Sequence, residues 1–179
     1  VGPGGGLPEK LPIPYGEYAS FSSDGQQVAY LPQSQANRTW KRYRGGMASD
    51  IWLFNLGNKT AQRITEWEGT DSIPMWHGQN VYYLCDAGDE HRLNIWVYET
   101  ATGARRQVTR FTEYDVKWPS MGPGDHGQGE IVFQLGADLQ LRAVGRRRHR
   151  DRDRVDHDRR AGARRRRDDR RDHAARRGA

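Results

Sequence analysis

Apolar and polar residues alternate over short stretches of this chain, with turn residues between the stretches. QVAYLP at 27–32, NVYYLC at 80–85 and EIVFQL at 130–135 are rich in β-branched and aromatic residues, and each follows a turn element that contains Gly. Such stretches predict β-strands, because successive side chains of a strand point to opposite faces and Gly accepts the positive φ of tight turns. No long segment has the 3.6-residue periodicity of an amphipathic helix. The pattern therefore predicts an all-β chain.

The strand pattern repeats along the chain. DIWLFNLGNKTAQRIT at 50–65 matches NIWVYETATGARRQVT at 94–109 with an offset of 44 residues, and DLQLRAV begins another 44 residues after Asn94. EYASFS, DSIPMW and YDVKWPS supply a first strand for each repeat, which gives four short strands in a full repeat. This period is typical of a β-propeller blade. A β-sandwich of unrelated hairpins, the competing interpretation, predicts no fixed offset.

Residues 1–145 are predicted to form a partial β-propeller of four-stranded antiparallel blades. LPEKLPI at 7–13 resembles the last strand of a preceding blade; two full blades and most of a third follow. Because propellers close with about four to eight blades, we expect a piece of a ring whose end faces expose apolar surface. The N-terminus without methionine suggests missing upstream sequence. Alternation predicts that these residues are mostly buried: Val28, Tyr30, Ile51, Leu53, Val81, Tyr83, Ile95, Val97, Ile131 and Phe133.

The C-terminal tail, residues 146–179, has a different composition. It consists of Arg, Asp, His, Ala, Gly and one Val, and it carries a net charge of +9. A GC-rich gene read out of frame gives such a composition, which is the interpretation we favour. A nucleic-acid-binding arm and a mixed-charge solvated helix are the alternatives. With almost no apolar residues the tail cannot bury a core, so we expect it to be disordered. From its composition we also expect that it is not native sequence.

Charge, cysteine usage and hydropathy exclude several classes of function. The whole chain carries +6, so residues 1–145 carry −3, which does not favour a nucleic-acid-binding protein. Cys85 is the only cysteine, so neither an intrachain disulfide nor a thiolate-based zinc site is expected, as is usual in a reducing compartment. No apolar run approaches the roughly 18 residues of a membrane-spanning helix, and no signal peptide is recognised.

The sequence contains few candidates for a metal site. His77, His91 and His126 lack the i, i+4 partner of a helical metal site. CDAGDEHRLN at 85–94 has three carboxylates but lacks the alternating oxygen ligands and final Glu of an EF-hand, so a solvated hairpin loop is favoured. We predict no metal-binding and no cofactor-binding residue.

The nucleophile candidates are equally weak. Ser20, Ser22 and Ser23 lie near Asp24, but the Gly-x-Ser-x-Gly frame of a nucleophile elbow is absent. Cys85 ends a predicted strand beside a carboxylate, which raises a thiol pKa and so opposes an activated thiolate. We predict no catalytic residue in this chain.

TWKRYRGG at 39–46 belongs to an insertion that lengthens the first full repeat by nine residues. A nucleic-acid patch and a merely solvated loop are the alternatives, but the acidic body and the two aromatic residues count against them. We predict instead that the aromatic residues pack on a blade and that the cations pair with carboxylates or carbonyls at the propeller face. The residues concerned are Trp40 and Tyr43, and Lys41, Arg42 and Arg44.

Several of these motifs resemble one family. RTWKRYRGG followed by DIWLF, then SIPMWHG, LNIWVY, RFTEYDVKWPS and MGPG, is similar to the N-terminal six-bladed propeller of the tricorn proteases over residues 6–145. The resemblance ends at Arg146. It implies a large cytoplasmic serine peptidase that assembles as a homo-oligomer and trims peptides, with propellers that filter peptide access and a catalytic region outside this segment.

Two functions from different classes therefore compete. The first is a fragment of a tricorn-like peptidase, in which the propeller is a scaffold and a peptide-access filter. The second is a non-enzymatic interaction propeller of TolB type. The case for nucleic-acid binding depends on the tail alone, so nucleic acid is not expected as a partner. A membrane is not expected either, because the sequence has no long apolar run.

Overall fold

Three antiparallel β-sheets follow one another along the chain in the computed structural model, which describes residues 4–32 and 42–144. The first sheet contains β1 (Glu17–Phe21), β2 (Gln27–Leu31), β3 (Trp52–Asn55) and β4 (Ala61–Arg63). The second contains β5 (Asp71–His77), β6 (Asn80–Cys85), β7 (Asn94–Glu99) and β8 (Arg105–Gln107). The third contains β9 (Val116–Gly122), β10 (Glu130–Leu135) and β11 (Asp138–Ala143). Neighbours in sequence are neighbours in each sheet, as expected for propeller blades.

The strands predicted for the repeats are confirmed, and the fold is all-β. A 3-10 turn at Asp125–Gly127 is the only helical element among the described residues. The segment at 7–13 was wrongly predicted as a strand. Its Ile13 packs on the face of the first sheet, against Val28 and Phe54, and the segment pairs with no sheet edge. The arginine-rich tail at 146–179 lies outside the described residues.

The ten residues predicted to be buried are all buried. They do not share one face, however. Val81 and Tyr83 pack against the first sheet, whereas Ile95 and Val97 pack against the third. The second sheet lies between the other two and buries both faces, so strict alternation describes only half of its core.

The end faces expose apolar side chains, as predicted. Phe21 on β1 and both Leu139 and Leu141 on β11 are largely exposed. Within the described parts of the chain, no helix is long and apolar enough to span a membrane.

A recurring threonine explains part of the repeat. Ile95 N–H donates to Thr109 Oγ1 at 2.8 Å, and Ile51 N–H donates to Thr65 Oγ1 at 2.9 Å. Thr109 also donates to Asn94 Oδ1 at 2.9 Å. In the first and second sheets the threonine therefore accepts a hydrogen bond from a buried amide, at the point where the pairing of the third and fourth strands ends.

Replacing Thr109 by valine should lower the free energy of unfolding by about 1–3 kcal/mol, because the buried Ile95 amide loses its acceptor. Urea unfolding followed by tryptophan fluorescence would measure the loss. Thr60→Val, at an exposed turn, is the matched control and should change stability by less than about 0.5 kcal/mol. Equal losses in the two variants would contradict the role given to Thr109.

Candidate functional site

The end of the inserted loop, residues 42–49, lies against the second and third sheets. Arg42 forms an ion pair with Asp115, just before β9, with 3.8 Å between Nη2 and Oδ2. Arg44 forms an ion pair with Asp86 at 3.5 Å. Gly45 N–H donates to the Glu68 carbonyl at 2.9 Å. The loop therefore connects the first blade to the next two.

The prediction that cations of this loop pair with carboxylates is confirmed for Arg42 and Arg44, whereas the packing of Tyr43 on a blade stays a prediction. Tyr43 is half-buried. Trp40 and Lys41 lie outside the described residues.

Asp86 is the centre of this junction. Only 2 % of the residue is exposed, and its Oδ1 accepts hydrogen bonds from Trp67 Nε1 at 2.7 Å and from Thr70 N–H at 3.0 Å. The Arg44 guanidinium lies over the Trp67 ring, 4.6 Å from its centroid. The prediction of a solvated loop at 85–94 is therefore wrong for Asp86, because contacts from distant parts of the chain bury it.

The other polar residues of that loop have separate partners. Glu90 accepts a hydrogen bond from Gln107 Nε2 at 2.8 Å and forms an ion pair with Arg110 at 3.5 Å. The three histidines are also dispersed, at the end of β5, before β7 and in the 3-10 turn. Among the residues that the structure describes, no group of three or more His, Cys, Asp or Glu could hold a metal ion.

Among the candidate nucleophiles, Ser20 and Ser22 are engaged in structural contacts, Ser23 is exposed in a turn, and Cys85 is buried. Ser22 donates to Asp24 Oδ1 at 2.6 Å within a turn. Ser20 Oγ accepts a hydrogen bond from Trp76 N–H at 2.9 Å, which joins the first sheet to the second. Burial raises the pKa of the Cys85 thiol, and the neighbouring Asp71 adds to this effect, so the thiol is protonated near neutral pH.

Asp71, the first residue of β5, is the least expected feature of the structure. Only 1 % of it is exposed, and neither carboxylate oxygen has a hydrogen-bond partner in the described part of the chain. Its main chain, by contrast, is fixed by Ser49: Asp71 N–H donates to Ser49 O at 3.3 Å, and Ser49 Oγ donates to Asp71 O at 2.8 Å. The inserted loop thus holds the buried acid at the seam between the first two sheets.

Burial raises the pKa of Asp71 to about 7. The Cys85 thiol and the Thr65 hydroxyl are donors near the carboxylate but outside hydrogen-bonding geometry, and they lower the pKa in part; the negative charges of Asp50 and Asp86 raise it further. The group therefore changes its charge near neutral pH. The burial of this residue could not be predicted, since an acid before an alternating stretch is typical of an exposed turn.

A β-bulge occurs in the first strand of every sheet. Tyr18, Ile73 and Trp118 occupy equivalent bulge positions, with φ of 49°, 49° and 51°. The first strands of successive sheets contact one another, so these positions lie along one common edge. Tyr18 is 39 % exposed and Trp118 69 % exposed, whereas Ile73 is half-buried. Because bulges redirect side chains, this edge presents aromatic surface to the solvent.

Comparison with known proteins identifies the architecture. The profile of the tricorn protease N-terminal β-propeller domain matches residues 1–147. The chain belongs to this family. A curated relative, the tricorn protease homolog of Saccharolobus solfataricus, is 29 % identical over 136 residues, which are 76 % of this chain and 12 % of that protein. This member of the tricorn propeller family thus spans a small part of its relative's length.

Solved structures show the same fold. The putative TolB of Agrobacterium tumefaciens matches with a TM-score of 0.55 and 18 % identity, over 73 % of this chain and 47 % of that one. The tricorn protease matches with a TM-score of 0.50 and 16 % identity, over 73 % of this chain and 16 % of that one. Three consecutive sheets of the tricorn propeller segment therefore pack as propeller blades do.

Proposed function

We propose that this chain is the propeller portion of a tricorn-type serine peptidase, in which it is a scaffold and a filter for peptides that reach a catalytic region outside this segment. The observation that carries the proposal is the family match over residues 1–147. The same proposal places the whole protein in the cytoplasm, as a homo-oligomer that acts on peptides.

We expect peptides to bind at the common edge of the three sheets. The first strands meet there, and the bulges at Tyr18 and Trp118 expose aromatic side chains. Aromatic side chains offer large contact areas at a small entropic cost, which suits weak contacts with peptides of varied sequence.

Binding of peptides without turnover tests this proposal. Fluorescein-labelled peptides of extended conformation, titrated with the purified chain, should give a saturable rise in fluorescence anisotropy. Trp118→Ala should weaken binding by about fivefold or more, since exposed aromatic residues dominate such contacts. Leu139→Ala, an exposed residue on β11, is the matched control and should leave binding unchanged. No saturable binding, or an equal effect of both substitutions, would contradict the proposal.

A TolB-type interaction propeller without any peptidase is the second candidate. The observation in its favour is that the putative TolB structure has the higher TM-score of the two, 0.55 against 0.50. Sequencing the DNA on both sides of this segment separates the candidates. A serine-peptidase region in the same gene supports the first, and a gene that ends after one closed propeller supports the second.

A further inference from the structure

A cavity of about 370 Å³ lies beside Asp71, at the seam between the first two sheets. We call it the Asp71 cavity. Eight residues line it, among them Glu66, Trp67, Asp71, Tyr83, Trp96 and Arg105. The cavity is large enough for a small organic molecule, and three of its eight lining residues are aromatic.

Two of the residues that line this cavity carry buried polar groups without partners. Neither oxygen of Asp71 has a hydrogen-bond partner within the described chain, and the same is true of the buried Trp96 Nε1. Native proteins satisfy nearly all such groups, because each one left unpaired costs free energy. A cavity that combines a free acceptor pair with a free donor has the polar groups of a binding site.

The repeat provides an internal comparison that argues against a purely structural role for Asp71. In the ladder of the second sheet, Asp71 pairs with Cys85 across β5 and β6. At the equivalent place in the third sheet, Val116 pairs with Leu135, and Val116 is fully buried in an apolar cluster. The blade fold therefore accepts an apolar pair at this position. The carboxyl at the first seam is a feature that folding does not require.

We propose that the Asp71 cavity binds a primary ammonium group that carries a neighbouring oxygen acceptor. The carboxylate of Asp71 would accept the ammonium N–H groups, and Trp96 Nε1 would donate to the oxygen. Trp67 and Tyr83 add aromatic surface, which attracts cations. The proposal is independent of the peptide-filter function.

The charges around the cavity suit a cation. Asp50 and Asp86 carry the same charge as Asp71 and repel it. A bound ammonium group would offset this repulsion and also the cost of burying the Asp71 charge. Glu66 forms an ion pair with Arg63 at 3.2 Å, and Arg105 is exposed, so solvent screens both charges at the cavity mouth.

Titration of the full chain with leucinol at pH 8, in buffer free of other amines, tests the proposal. Leucinol combines an ammonium group with a hydroxyl, and binding would be followed by calorimetry and by tryptophan fluorescence, since Trp67 and Trp96 line the cavity. N-acetyl-leucinol lacks the charge, and isoamylamine lacks the oxygen. We expect saturable binding of leucinol, weaker binding of isoamylamine and none of N-acetyl-leucinol.

Two substitutions make the test specific. Asp71→Asn keeps the size and removes the charge, and Asp71→Val introduces the residue found at the equivalent position of the third sheet. Both should weaken leucinol binding by about tenfold or more, whereas Asp89→Asn, at an exposed position of a neighbouring loop, should not. Undiminished binding in a folded Asp71 variant, or no saturable binding of leucinol to the original chain, would overturn the proposal. Isoamylamine binding as tight as that of leucinol would overturn the role of Trp96.

Discussion

Replacing Asp71 by valine is expected to raise the free energy of unfolding at pH 8 by about 2–4 kcal/mol. The pKa of this carboxyl is about 7 in the folded chain, against about 3.9 in an unfolded chain. The folded state therefore binds the proton more tightly. Its stability falls as the pH rises from about 4 to about 7 and is constant above that range. The substitution removes a buried charge, and the fully buried Val116 shows that a blade accommodates valine at this position.

Urea unfolding at pH 5, 6.5 and 8, in phosphate buffer without amines, would measure this effect. The stability difference between Asp71→Val and the original chain should grow with pH. The other charged groups near the site are present in both chains, so only their interaction with Asp71, which is part of the effect, remains in that difference: Asp50, Glu66, Asp86 and Arg105. Val116→Asp is the reciprocal variant and should be less stable than the original chain at pH 8. An Asp71→Val chain that is less stable at pH 8 would contradict the account.

Replacing Asp86 by alanine is expected to lower the free energy of unfolding by about 2–4 kcal/mol. The substitution leaves the Trp67 indole N–H and the Thr70 amide without their acceptor and removes the partner of Arg44. The loss should appear in urea unfolding at neutral pH. Asp89→Ala, in the same loop but exposed, should change stability by less than about 0.5 kcal/mol. Equal stability of the two variants would show that the junction contributes little.

The sequence predicted the blades because two independent signals agreed. The alternating stretches identified strands, and the 44-residue offset identified the unit that repeats. The contacts of Arg42 and Arg44 were also predicted in kind, since two arginines in a loop over an acidic body have few other partners. Their particular partners, Asp115 and Asp86, depend on how the blades pack, which local pattern does not specify.

The buried acids could not be predicted for the same reason. Asp71 and Asp86 both follow or precede apolar strands in contexts typical of exposed turns. Their burial results from residues distant in sequence: Ser49 fixes the main chain of Asp71, and Arg44 covers Asp86. The bulges at Tyr18 and Trp118 left only a weak signal, an aromatic residue followed by Ala or Pro at the same place in two repeats.

We propose that this segment belongs to a tricorn-type peptidase and carries no catalytic centre of its own. The most direct test is to incubate the purified chain with a panel of fluorogenic tri- and tetrapeptides, with Cys85→Ala as a control. Nucleophilic catalysis needs a hydroxyl or thiol beside a base and oriented oxyanion donors, whereas Ser20 and Ser22 hold structural contacts and the Cys85 thiol is buried and protonated. The account predicts no release of fluorophore above that in buffer alone. Turnover that survives repurification and disappears on a single substitution within residues 1–145 would contradict it.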